Sequence, residues 1–315
     1  MPNSSRSTPP GLSAKPSAST GLDPALLAAL GDLELVARVI VDGMLSGLHN
    51  SPFHGYSAEF SQYRHYRSGD DLKYIDWKLF ARTDRLYTKQ YRETTNLGAQ
   101  IMVDASQSMA FRGRTGVAKL DYARMTAAAL AYLIARQGDG VGLAIYDEGV
   151  RQFLPSRVGQ THLRGVLATL AKMQTSGTTG TTSTAGSLRR SVDLLTRRGV
   201  VILVSDLYDD EDAVESELRR AARMGHEVAV FHVLTRDELE FPFGPEVELE
   251  DLESGRRLLT GSAAGATYRH AFAEFLERWH ARCARDRIDY TRILTDQPLA
   301  ASLRSYLLRH GGAER

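Results

Sequence analysis

From Gly98 onward the chain alternates short apolar runs with helical patterns, and no other feature of its 315 residues limits the possible folds so much. The apolar runs are Ala99–Val103, Val141–Tyr146, Val200–Val204 and Val228–Leu234. Between and after them, apolar spacing predicts helices at Lys119–Arg136, Gln160–Met173, Ala185–Arg198 and Asp210–Met224. A strand covered on both faces reads as a continuous apolar run, and parallel neighbours need a helical crossover. The expected fold is therefore α/β, a doubly wound, mostly parallel sheet with helices on both faces. Asp147-Glu148-Gly149 predicts a hairpin that adds Val150–Leu154 as an antiparallel edge strand. A second hairpin is expected near Glu246–Leu259, turning at Glu253-Ser254-Gly255. A helix from Ala264 to Asp286, a strand at Ile288–Leu294 and a helix at Pro298–Arg309 complete the pattern.

Upstream the character changes. Residues 1–22 are rich in Ser, Pro and Thr and are expected to form a disordered tail. Residues 23–98 are expected to form an N-terminal helical and β accessory region, in which Asp23 before Pro24 caps a helix carrying Leu26, Leu27, Leu30, Leu33, Val36 and Ile40. Within this region Asp84–Tyr91 reads as extended. Residues 99–310 make up the main domain and 311–315 a short tail.

Lys plus Arg number 39 against 38 Asp plus Glu, so the net charge of +1 offers no general attraction for nucleic acid or acidic lipid. The longest apolar stretches, Ala127–Ala135 and Val200–Val204, fall well short of the ~20 residues that span a membrane. With one cysteine, Cys283, expected to be buried or half-buried in a helix, no internal disulfide can form. No membrane span and a cytoplasmic location are the resulting expectations.

In an open α/β sheet, ligands collect outside the carboxyl ends of the strands. Asp104-Ala105-Ser106-Gln107-Ser108 follows the run Ala99–Val103 and puts one carboxylate and two hydroxyls in a single loop, while Asp206 follows Val200–Val204. Gly177–Ser183 is a Gly/Thr loop that opens a helix. Such hard oxygens, with room for water, suit Mg2+ or Mn2+ better than zinc. Taken alone, Asp-x-Ser-x-Ser reads equally as a strand-end turn and helix cap. Its place at the end of a buried strand, with the Thr loop and a second Asp at later crossovers, favours the metal.

The run Asp104-x-Ser106-x-Ser108-Met109, then Gly180-Thr181-Thr182, then Val204-Ser205-Asp206, resembles the metal-ion-dependent adhesion site (MIDAS) of von Willebrand factor A domains. That resemblance implies metal ligation by Asp104, Ser106, Ser108 and Thr182, with Asp206 acting from behind them. Thr182 is preferred because Leu188 then falls at the usual helix position; Thr179 and Thr181 remain open. Further upstream, Ser51-Pro52-Phe53-x-Gly55, Glu59-Phe60, Arg64-x-Tyr66, Gly69-Asp70-Asp71, Ile75-Asp76-Trp77-Lys78 and Ala81-Arg82-Thr83 resemble the bacterial domain-of-unknown-function 58 family, with His65 where that family often has Pro. This resemblance runs from Leu33 to Arg309. It implies a protein-binding adaptor that works with a MoxR-type AAA+ ATPase or its client, docking through an acidic residue of the partner.

Two other readings of the motif are weighed. A metal-dependent hydrolase or phosphatase using Asp104 wants a carboxylic acid two residues on, where this chain has Ser106, so no enzyme is expected. A structural scaffold with an unused metal motif is the other. No phosphate-binding Gly-Lys pair and no zinc spacing among the nine histidines is found. The charges from Arg64 to Arg82 are expected to form a salt-bridged scaffold around a buried Trp77, so that Trp77→Ala would destabilise the fold more than any metal-ligand change. The alternative for this block is a docking surface, since Trp, Tyr and Arg are common hot-spot residues.

Overall fold

A computed structural model describes residues 22–46, 62–66, 77–90, 98–114, 116–175, 183–195, 197–243, 247–250, 257–260 and 264–310. At its centre, β3 (Gly98–Asp104), β4 (Gly140–Tyr146), β5 (Val150–Arg157), β6 (Gly199–Ser205), β7 (Glu227–Leu234) and β10 (Asp289–Leu294) form one sheet in the order β10-β7-β6-β3-β4-β5. All neighbours are parallel except the β4–β5 hairpin. This is the doubly wound, mostly parallel sheet with helices on both faces that the alternation predicts.

Side chains alternate between two cores. Ile101, Val103, Ile202, Val204, Phe231 and Val233 face one core with helices α2 (Leu33–Ser46), α4 (Lys119–Arg136), α5 (Gln160–Ala171) and α10 (Leu299–His310). Met102, Val201, Leu203, Val228 and Val230 face the other with α6 (Thr184–Asp193), α7 (Glu211–Arg223) and α9 (Ala264–Arg285), where Cys283 and Trp279 are buried. The period of two along each strand is what sends neighbouring residues to opposite cores. Helix α4 is buried nearly all round, which its run of alanines permits by letting it lie close to the sheet.

Asp23 caps α1 (Pro24–Ala29) as expected, its side chain accepting from the Ala25 N–H, and Asp32 does the same for α2. Val36, Ala37, Ile40, Val41 and Met44 recur at helical spacing and put α2 into the first core against α4 and α10. Outside the main sheet, β1 (Gln62–His65) pairs with β2 (Tyr87–Gln90), and β8 (Val247–Glu250) with β9 (Arg257–Thr260). The expected turn at residues 253–255, residues 1–21 of the expected tail 1–22, and the expected tail 311–315 lie outside the described residues.

Two local expectations are corrected, and two short helices are added. Helix α6 ends at Asp193 rather than Arg198, with Leu194 as its C-cap. Two short helices, α3 (Trp77–Thr83) and α8 (Arg236–Glu240), are too brief to show a period in sequence. Trp77, expected to be buried, is 58% exposed: it opens α3, meets Phe80 edge-on at 6.2 Å, and joins neither core. Much of the charged block expected around it, including residues 67–76, lies outside the described residues.

Candidate functional site

The carboxyl ends of β3, β4, β6 and β7 converge on a recessed polar cluster. Asp104, the last residue of β3, is 2% exposed. Its Oδ1 accepts the Ser106 N–H at 2.9 Å and its Oδ2 accepts the Ser205 hydroxyl at 2.7 Å. A 3-10 turn at Gln107–Ala110 then brings the Ser106 and Ser108 hydroxyls within 3.0 Å of each other. The motif's own turn therefore gathers three of the five predicted ligands. Thr182 and its alternatives Thr179 and Thr181 lie outside the described residues. Two residues later Thr184 opens α6, with its backbone N–H on Asp209 Oδ2 at 2.7 Å.

Asp206 faces the same cluster but is held from behind. Its Oδ2 is 2.7 Å from the Lys119 ammonium, its Oδ1 accepts the Tyr208 N–H at 3.3 Å, and its backbone carbonyl accepts from His232 Nε2 at 2.8 Å. Asp206 is thus paired with an ammonium, whereas both Asp104 oxygens take only neutral donors. Lys119 also reaches Glu238 Oε1 at 2.7 Å and lies 4.7 Å from the centre of the Tyr208 ring. Glu238 in turn accepts from the Thr235 N–H and hydroxyl and from the Tyr208 hydroxyl.

The electrostatics follow from this packing. Burial, and then the charge of Asp206, push the Asp104 carboxyl up to about 7, against the opposing hydrogen bonds from Ser205 and Ser106. Burial alone would depress Lys119, but the Asp206 and Glu238 carboxylates overcome it and hold the ammonium firmly charged. Asp104, Asp206 and Glu238 set three buried carboxylates against the one ammonium of Lys119, leaving two negative charges when all are ionised. Uncompensated buried charge is expensive. Burial and then the Asp104 charge push the Tyr146 hydroxyl well above its ordinary range, against Ser205 and Thr184 beside it. The carboxylates and the paired hydroxyls are hard oxygens of the kind a divalent cation takes. Among the described residues no three His, Cys, Asp or Glu side chains are placed to hold one metal ion together, so protein carboxylates alone would not fill such an ion's shell.

A family described as "Protein of unknown function DUF58" matches residues 62–282. The chain belongs to this family. Its relatives include an uncharacterized protein, Rv1480, of Mycobacterium tuberculosis, 32% identical over 237 residues that cover 74% of this chain and 73% of the relative. Among solved structures, the conserved hypothetical protein BatB from Bacteroides thetaiotaomicron is similar at a TM-score of 0.48 and 15% identity, covering 69% of this chain and 100% of that one. The SpRpn10 VWA domain is similar at a TM-score of 0.39 and 11% identity, over 66% and 94% of the two chains. Likeness at this level carries no functional inference.

Lys119, Glu238 and Tyr208 are the members of this DUF58 site that sequence reasoning missed. One signal was available: a lysine in the first turn of a helix opposes the helix dipole and calls for a special partner. Glu238 was masked by its role in the capping box Thr235–Glu238, which accounts for it locally. Arg112 and Arg114 flank the site as a small basic loop, with Arg114 paired to Asp237 at 2.7 Å.

Proposed function

We propose that this DUF58 protein is a metal-ion-dependent protein-binding adaptor of the cytoplasm rather than an enzyme. The observation that carries the reading is the buried Asp104 carboxyl set beside the converging Ser106 and Ser108 hydroxyls, with Asp206 behind it. Asp104, Ser106, Ser108 and Thr182 would hold Mg2+ or Mn2+, with Asp206 contributing charge from behind. When bound, the ion supplies an electrophilic position that accepts an outside carboxylate. Asp104 is oriented by Ser106 and Ser205, and the neutral hydroxyls leave the ion part of its charge. A folded partner presents an Asp or Glu in fixed geometry at less entropic cost than a free acid. The partner is proposed to be a MoxR-type AAA+ ATPase or its client, on the strength of the family resemblance. No poised acid–base pair accompanies Asp104, since Ser106 stands where an aspartyl phosphatase needs its general acid.

The test is calorimetric titration of the full chain with Mg2+ and Mn2+ beside Asp104→Ala, followed by capture of the ATPase in Mg2+ or in EDTA. Metal-dependent heat and capture, both lost in Asp104→Ala, are expected. Absence of heat in the wild type would favour the scaffold reading. Equal capture in every condition would move the docking point elsewhere, and a purified hydrolase activity lost in Asp104→Ala would favour the enzyme.

A further inference from the structure

A lysine at the start of a helix, sealed from water among carboxylates, is a costly arrangement that an apolar side chain of similar volume would avoid. The Lys119 side chain is 1% exposed. Two of its three ammonium hydrogens are taken by Asp206 and Glu238 at 2.7 Å each, and the Tyr208 ring lies on another side. Glu238 cannot readily turn away, because Thr235 and Tyr208 donate to both of its oxygens. The ammonium is therefore fixed in place, and it fixes Asp206 Oδ2 with it.

We propose that Lys119 is a built-in counter-ion that withholds Asp206 from the metal and so keeps the bound ion electrophilic enough to take a partner's carboxylate. The inference rests on the metal-dependent reading above and adds the device that regulates it. With Lys119 present, Asp104 is the carboxylate left for the ion, and Ser106 and Ser108 supply neutral oxygens. A second direct carboxylate would tighten metal binding but spend the charge that recruits the partner. Lys119 also ties this setting to the loop after β7 through Glu238, so a partner that presses on α8 can change metal affinity from outside the ligand set. Lys119 is a positioning residue in this scheme, and it touches neither metal nor partner.

Mn2+ and Mg2+ are titrated calorimetrically into the full-length wild type, Lys119→Met and the double variant Lys119→Met/Glu238→Gln, each first checked for a cooperative melt and unchanged circular dichroism. Lys119→Met is expected to bind Mn2+ at least ~10-fold more tightly, a 1.4 kcal/mol effect. The double variant removes one charge of each sign, so any tightening that persists there reports the release of Asp206 rather than net charge; a several-fold gain is expected. Equal or weaker binding in these folded variants overturns the inference while leaving the metal-dependent reading intact. Binding that appears only in Lys119→Met upholds the inference and overturns metal dependence of the native chain; binding in none overturns both. Should Lys119→Met fail to fold, Glu238→Gln decides: it leaves the ammonium to Asp206 alone and is expected to weaken Mn2+ several-fold, and unchanged affinity overturns the inference.

Discussion

The ammonium of Lys119 and Oδ2 of Asp206 stand 2.7 Å apart with both side chains 1% exposed, across 87 positions of sequence. This contact binds the N-terminus of α4 to the loop after β6. Through Glu238 it extends to the loop after β7. The top of the sheet is thus braced around a cluster that keeps surplus negative charge, and this combination of rigidity and repulsion sets the first expectation.

Asp104→Asn keeps the shape of the side chain and removes one buried charge facing Asp206. In EDTA at about pH 8 the variant is expected to melt above the wild type, by the equivalent of ~1 kcal/mol, because the carboxylate is destabilised there by burial and by Asp206. The same variant should lose the rise in melting temperature that Mg2+ gives the wild type. A lower melting temperature in EDTA would show that the hydrogen bonds to Ser106 and Ser205 outweigh the repulsion.

The two tryptophans should behave oppositely. Trp279 is fully buried in the second core, so Trp279→Ala is expected to cost ~3–5 kcal/mol. Trp77 is 58% exposed, and Trp77→Ala should change stability by less than ~1 kcal/mol in a denaturant melt. A large loss at Trp77 would mean the ring is covered in solution.

Two glycines separate a packing role from a propensity effect. A Cβ on Gly142 would lie 2.7 Å from the Ser156 nitrogen and 2.8 Å from the Leu154 carbonyl, both backbone atoms of β5, and against the Gln100 side chain. Gly142→Ala is therefore expected to lose about 1–3 kcal/mol. At Gly165, inside α5, an added Cβ meets nothing within 4 Å, so Gly165→Ala should gain ~0.5–1 kcal/mol. Urea midpoints of the two variants test both signs.

His226 sits at the amino ends of the strands, away from the cluster. Its Nδ1 accepts the Gly199 N–H at 3.3 Å, and burial holds its pKa below the ordinary 6.5. The unfolded chain therefore binds the proton first as pH falls. The contribution of this histidine to stability is present above about 6.5 and is lost as pH drops toward the folded-state value. Between about pH 7 and 5 the wild type should lose more stability than His226→Gln; parallel losses would mean His226 does not titrate differently on folding.

The order of strands and helices from Gly98 to the C-terminus was determined by the sequence alone, because burial on both faces makes a strand a continuous apolar run and helix periods are long enough to read. Asp104, Ser106 and Ser108 were legible for a related reason: they are contiguous, and one turn after a buried strand suffices to gather them. Residues whose meaning depends on distant partners were not legible. Lys119 lies 119 positions from Glu238, and Trp77 is exposed because α3 falls outside both cores, which no local pattern states. Such pairings depend on how the crossovers stack helices and loops over the sheet. Periodicity sets which face of an element is apolar, while only the packed fold decides which charges come to share that buried space.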